Sequence, residues 1–333
     1  MKVLVAPLDW GLGHATRCVP VVHEFLRQGA DVELAVVKAN ANLFREIFPH
    51  LRQRVAPGYN MVYPKHGFNM GLWLLKNSSH LNSVMRYEHH YAEEMVERHG
   101  FDILFSDNRF AFYSSKAYSV YMTHQRRVAF PPALSAFEVI GIKWHAKLMK
   151  NFDEVWVPDI EEAPGYAGAL SHVNETPRPM HFVGALSRFT PTNNIALKID
   201  KCISANKNLD VVAVVSGVEP ARSEFELQLR QILSKIPGRH MMILGKPSEP
   251  QKTWTEGNIE FHNHLPTVEF SEAILRANWV VSRGGYSSIM DMAVLGAKCI
   301  FVPTPGQYEQ IVLARDLAKA GYAVHILAND FNV

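Results

Sequence analysis

Short, almost wholly apolar runs separated by polar turns and amphipathic stretches recur along this chain, the rhythm of buried parallel strands alternating with helices. Lys2 to Pro7 read as a buried strand, followed by a loop over Asp9 to Gly13 and an amphipathic helix from about His14 to Gln28. Asp31 to Val37 read as the next strand, so the chain opens strand, loop, helix, strand. Runs at Ile103 to Phe105, Val120 to Thr123 and Val155 to Val157 continue the alternation. From Pro158 to Asn208 the pattern loosens around Pro158, Pro164, Pro177, Pro179 and Pro191. A second series then begins at Asp210 to Val215 and returns at Met241 to Leu244, Ile259 to Phe261, Ala277 to Val281, Ile300 to Val302 and Ala323 to Ile326. The expectation is an α/β chain of two Rossmann-like, doubly wound domains, residues 1–186 and 187–333.

Composition narrows this picture. With 333 residues, 47% of them hydrophobic, the chain is long enough for two domains with separate cores. Its 34 basic and 32 acidic residues leave a net charge of +2, which gives no footing for nucleic-acid binding. Cys18, Cys202 and Cys299 are odd in number and far apart, a usage that points to a reducing cytoplasm rather than a disulfide framework. The start, MKVLVAPLDWG, reads as a first strand rather than a signal peptide, and no apolar run approaches the length of a membrane span. The stretch from Tyr59 to His99 departs from the rhythm. It sets Phe68, Met70, Leu72, Trp73, Leu74 and Leu75 between Lys65 and Lys76, ahead of a helical pattern from about Leu81 to Glu97. Such a segment either packs onto the first core, the commoner outcome, or rests on a membrane surface.

Residues with chemistry gather after strands. In Ser282 to Gln310, Gly284 and Gly285 permit a tight turn, and the N–H groups of a helix starting near Tyr286 would face an anion. Ser287 and Ser288 add donors, and Asp291, one turn on, can take ribose hydroxyls. The next strand ends in Pro303-Thr304-Pro305-Gly306 and brings Glu309 and Gln310 to the same carboxyl edge, where ligands of open α/β sheets bind. This combination suits a sugar nucleotide. In Gly11-Leu12-Gly13-His14-Ala15-Thr16-Arg17, Thr16 stands where a dinucleotide fingerprint needs its third glycine, and the second strand ends in Val37-Lys38-Ala39 without a ribose-binding acid. Asp107, Asn108 and Arg109 follow the strand at Ile103, and His124 follows the next. They either line an acceptor site or form an ordinary polar helix start. His262 and His264 lack a carboxylate or cysteine at ligand spacing, and no Asp-x-Asp occurs, so no metal site is expected.

The succession of Arg, Gly, hydroxyl residue, helix acid and a Pro-rich loop ending in a Gln-containing pair over Ser282 to Gln310 resembles the donor-binding C-terminal region of MurG-type N-acetylglucosaminyltransferases, family 28 enzymes of the GT-B group. That resemblance implies two domains facing across a cleft, the first binding the acceptor and the second the nucleotide sugar. It implies metal-independent transfer, without a further cofactor, of an N-acetylhexosamine or hexose from a UDP-sugar to a hydroxyl of a carbohydrate or lipid-linked acceptor. The glycine loop at Gly11 and Gly13 would then present His14 as general base. Arg188, closing Gly184-Ala185-Leu186-Ser187-Arg188 as in the family's Gly-x-x-x-Arg element, would neutralise the diphosphate. Ser216 and Gly217 would contact phosphate with Arg222 as auxiliary, although Glu219 and Pro220 stand where the family has small residues. His264 would border the base, Asp291 hold ribose, and Glu309 and Gln310 the sugar. The implied setting is cytoplasmic cell-envelope glycan synthesis, with residues 65–76 touching the inner membrane face only if that segment does not pack onto the first core. UDP-sugar hydrolases and 2-epimerases share the fold. An NAD(P)-dependent oxidoreductase using Lys38 is the reading from another class. No helical pattern after Ile326 returns to the first domain as in GT-B proteins, which leaves truncation or a different closure open.

Overall fold

The computed structural model describes residues 1–10, 12–59, 77–127, 129–130, 136–174, 177–189, 207–217, 219–246, 249–327 and 330–331. Gly11 and the apolar segment 65–76 lie outside the described residues. The chain divides into two compact units, with the change between Arg188 and Phe189.

In the first unit, β1 (Lys2–Pro7), α1 (Leu12–Arg27), β2 (Asp31–Val36), α2 (Lys38–Ile47), β3 (Gln53–Val55), α3 (Ser78–His99), β4 (Ile103–Asp107), β5 (Tyr118–Met122), α4 (Ala136–Met149), β6 (Glu154–Val157) and β7 (Met180–Phe182) follow in order. The strands form a parallel sheet in the order β3-β2-β1-β4-β5-β6-β7. Alternation along β1 decides what covers each face. Val3 and Val5 pack with Ala15, Cys18, Val19 and Val22 of α1, whose i, i+3, i+4, i+7 spacing makes one helix face. Leu4 and Ala6 pack with Ala92, Met95 and Val96 of α3. Both faces being covered, the strand reads as an unbroken apolar run.

The second unit repeats the design with β8 (Leu209–Val214), α5 (Ala221–Leu233), β9 (His240–Ile243), β10 (Thr253–Glu256), β11 (Ile259–His262), α6 (Thr267–Leu275), β12 (Ala277–Ser282), α7 (Tyr286–Val294), β13 (Cys299–Phe301), α8 (Tyr308–Lys319) and β14 (Ala323–His325). Its strand order is β10-β11-β9-β8-β12-β13-β14, parallel except for the edge strand β10, which runs antiparallel to β11. Ala213, Val215, Phe225, Leu229, Met242 and Val281 form the buried centre on the α5 side. The helix expected over Leu81 to Glu97 runs from Ser78 to His99 and ends at Gly100 in the left-handed conformation. The sequence pattern missed β3, β7 and β10. All three are short edge strands, and β10, Thr-Trp-Thr-Glu, lacks the apolar run of a central strand. Among the described residues no helix is long and apolar enough to cross a membrane.

Candidate active site

In the first sheet the strand order reverses between β1 and β4, the position at which open α/β sheets form a crevice at the carboxyl edge. Pro7 pairs in register with Asp107 there. Asp107 is fully buried, as a carboxylate can be only with compensation. Arg17, itself 2% exposed, donates from Nε to both carboxylate oxygens at 2.9 Å and from Nη2 to Oδ1. His14 Nδ1 lies 3.0 Å from Asp107 Oδ2, and the Cys18 thiol sits 3.8 Å from the same oxygen. Arg17 Nη2 is 2.9 Å from His14 Nδ1, and Arg17 Nη1 is 2.9 Å from Nδ1 of the buried His124. Burial works to raise the Asp107 pKa, but the Arg17 guanidinium and His14 beside it bring it below the ordinary aspartate value. Burial and the Asp107 charge push the Cys18 thiol well up, so it is no nucleophile. His14 keeps 16% of its side chain exposed. With a proton on Nδ1 shared toward Asp107, its Nε2 is a base oriented by a carboxylate.

Backbone dominates the matching edge of the second sheet. The order reverses between β8 and β12, where Val214 pairs with Ser282, and Ser282 with Phe301 of β13. Ile243 pairs with Val214 on one side and His262 on the other. The loops at Ser216–Gly217, Gly284–Gly285, Val302–Gly306 and Asn263–His264 therefore leave one carboxyl edge. Gly285 caps α7 with an extended backbone and no side-chain cap, so the first turn of α7 presents N–H groups suited to an anion. A Cβ on Gly284 would approach the Gln310 carbonyl to 3.3 Å and Ala314 Cβ to 3.4 Å, so glycine lets α7 start close against α8. Gly217, at φ +110°, turns the chain after β8. Ser287, Ser288, Asp291 and Glu309 are half-buried along this edge. Arg283 ties it together. Buried at 3% exposure, it donates to the carbonyls of Val302 at 3.2 Å, Pro303 at 3.0 Å and Ala221 at 3.1 Å and lies 3.9 Å from the Phe225 ring centroid. Burial brings its pKa down to about 10, leaving it charged at neutral pH.

Residues 242–333, which hold most of this second edge, match the glycosyltransferase family 28 C-terminal domain. The chain has the two-sheet GT-B fold, and residues 242–333 carry a glycosyltransferase family 28 domain. Solved structures of the same fold include the glycosyltransferase of kitacinnamycin, at 11% identity, with 98% of this chain and 86% of that one covered and a TM-score of 0.63. Spinosyn rhamnosyltransferase SpnG is 16% identical over 98% and 86% of the two chains, with a TM-score of 0.62. A UDP-glucosyltransferase from Polygonum tinctorium is 12% identical over 97% and 84%, with a TM-score of 0.61. No curated protein sequence matches the chain.

Several residues that the sequence marked as ligand-binding are committed to the protein instead. Arg109 is wholly buried and does not line an acceptor site. Its Nε donates to Glu88 at 2.6 Å and its other nitrogens to the carbonyls of Pro7 and Pro57, while Tyr59 donates to the same Glu88 at 2.6 Å. Arg222 is likewise no phosphate auxiliary, because its guanidinium is spread over Glu219, Glu226, Ser223 and the Leu244 carbonyl. The Gln310 side chain accepts from Thr304 N–H at 2.8 Å and donates to Gln307, which fixes the Pro-rich loop. Asn108 takes φ +58°, rare for a non-glycine residue, and its amide oxygen accepts from Tyr121. His262 is held by Thr253 at 3.0 Å and Glu260 at 2.8 Å, and His264 is half-buried beside it. Among the described residues no group of three or more His, Cys, Asp or Glu could hold a metal ion. Arg188 is half-buried at the end of the first unit. Sequence reasoning gave Asp107 the wrong setting and Arg17 no role. The signal available for Arg17 was its spacing, one helical turn after His14.

Proposed function

We propose that this protein is a glycosyltransferase that moves an N-acetylhexosamine or hexose from a uridine diphosphate sugar to a hydroxyl acceptor without a metal ion. The observation that carries the reading is the second carboxyl edge. There a glycine turn, an uncapped helix N-terminus and three further loops meet at the reversal of the strand order, an arrangement made for a diphosphate. Spinosyn rhamnosyltransferase SpnG and the Streptomyces glycosyltransferase SsfS6 were solved in complex with thymidine diphosphate, and the Polygonum enzyme is a UDP-glucosyltransferase, which supports a nucleoside diphosphate sugar here. In this reading residues 187–333 bind the donor. Ser216, Gly217, Gly284, Gly285, Ser287 and Ser288 hold the phosphates, Asp291 the ribose, and Glu309 the sugar. Arg188 offsets the charge of the departing diphosphate. Residues 1–186 bind the acceptor and supply the base. His14 Nε2 takes the acceptor hydroxyl proton, the imidazolium is stabilised by Asp107, the hydroxyl oxygen bonds to the anomeric carbon, and the bond to the diphosphate breaks.

Thermal shift with UDP, thymidine diphosphate and NAD, followed by turnover of UDP-N-acetylglucosamine with His14→Gln as comparison, tests this. UDP is expected to raise the melting temperature and NAD to leave it unchanged. His14→Gln should retain the UDP shift while turnover falls about 100- to 10,000-fold, the usual contribution of a general base. Stabilisation by NAD alone would overturn the reading. Free sugar or an epimerised sugar formed without acceptor would reassign the chemistry to a hydrolase or epimerase.

A further inference from the structure

The Arg17 guanidinium is surrounded by two imidazoles and one carboxylate, and neither its burial nor its pairing with Asp107 requires two histidines beside it. We propose that Arg17 is a positioning residue that decides which ring nitrogens of His14 and His124 carry protons. A guanidinium has five N–H donors and no acceptor. Where Arg17 Nη1 meets His124 Nδ1 at 2.9 Å, the imidazole nitrogen must therefore supply the lone pair. His124 is fixed as the neutral ring with its proton on Nε2.

His14 is different, because its Nδ1 has two partners with opposite demands. Arg17 Nη2, at 2.9 Å, needs Nδ1 bare, and Asp107 Oδ2, at 3.0 Å, needs Nδ1 protonated. A neutral ring has one position in its plane at Nδ1 and cannot satisfy both. Arg17 also weakens its competitor, since its Nε and Nη2 already occupy both Asp107 oxygens and offset the carboxylate charge. His14 is consequently held between two tautomers. With Nδ1 protonated the outer nitrogen is a base, and with Nδ1 bare the outer nitrogen is a donor. The consequence for sugar transfer rests on His14 acting as the base, whereas the tautomers do not depend on that reading.

Long-range proton–nitrogen NMR on the full chain with 15N-labelled histidine reads the tautomers directly, with His14→Gln and His124→Gln assigning the signals. In the unsubstituted protein near neutral pH, His124 should show a bare Nδ1 and a protonated Nε2, and the two His14 nitrogens should be drawn together by exchange. In Arg17→Lys, which keeps a positive charge beside Asp107, His14 should move toward the Nδ1-protonated form and the His124 nitrogens should lose their separation. A protonated Nδ1 on His124 in the unsubstituted protein would overturn the proposal, as would unchanged His14 signals in Arg17→Lys. Should Arg17→Lys fail to fold, the His124 tautomer in the unsubstituted protein decides by itself. Because no nucleotide or acceptor is present, the result stands apart from any failure of sugar transfer.

Discussion

At the carboxyl edge of the first sheet the chemistry lies in side chains, whereas at the edge of the second it lies in the backbone. His14 and Arg17 of α1, Asp107 at the end of β4 and His124 in the loop after β5 hold one another by charge and hydrogen bonds. At the second edge the α7 N-terminus and two glycine turns offer N–H groups, and the buried side chain of Arg283 binds carbonyls. The difference matches the two tasks of the proposed reaction. Moving a proton requires a titratable group with a tuned neighbour, while holding a diphosphate requires many preorganised donors and no titration. A side-chain network should therefore fail through uncompensated charge, and a backbone cradle through altered shape.

The largest effect is expected from Asp107→Ala, which leaves the Arg17 guanidinium buried without its carboxylate. A loss of about 3–5 kcal/mol in urea unfolding is expected, and a change below 1 kcal/mol would show that the network carries little stability.

Acid should act on the first unit more than on the second. His145 is buried, with Nε2 2.9 Å from the Tyr121 hydroxyl, and burial, aided by the Arg126 charge, pushes its pKa down to about 4. Between pH 6.5 and about 4 the unfolded chain binds a proton that the folded chain refuses, so stability falls as pH falls through that window. The loss amounts to roughly 3 kcal/mol at about 1.4 kcal/mol per pH unit. Unfolding free energies measured from pH 7 to pH 4 should show this slope in the unsubstituted protein and not in His145→Gln. Equal slopes would place the acid sensitivity elsewhere.

Gly284→Val tests the cradle. Its Cβ would press on the Gln310 carbonyl and Ala314, and overpacking of this kind is worth about 1–3 kcal/mol. UDP affinity should fall further than stability does. Equal losses would mean that the turn serves packing alone. The smallest change is Gly217→Ala, where no atom lies within 4 Å of the added carbon and only the positive φ opposes it. A cost of about 1 kcal/mol is expected, read as a modest drop in melting temperature. A loss as large as that of Gly284→Val would contradict the distinction between crowding and backbone strain.

The central strands were legible in the sequence because burial on both faces leaves an unbroken apolar run, as in Val3 to Ala6 and Val211 to Val215. The edge strand β10 was not, since half-exposed strands carry polar residues. The glycine turn and the uncapped start of α7 were also legible, because a local backbone requirement leaves a local residue signature. Pairings across the sheet were hidden. Asp107 meets His14 93 positions away, and Arg109 turns to Glu88 rather than to the sheet edge. A run such as Ser-Asp-Asn-Arg does not reveal which members face inward until β4 is set beside β1.

Cys18 has its thiol against Asp107 and is fully buried. A thiol reagent can reach it only when the packing of α1 on the sheet opens, so the labelling rate of the peptide bearing Cys18 measures the opening of that helix. The buried thiol of Cys299 on β13 gives the corresponding clock for the second unit. Among the described residues each unit thus carries one native stopwatch, and their ratio tells which unit loosens first.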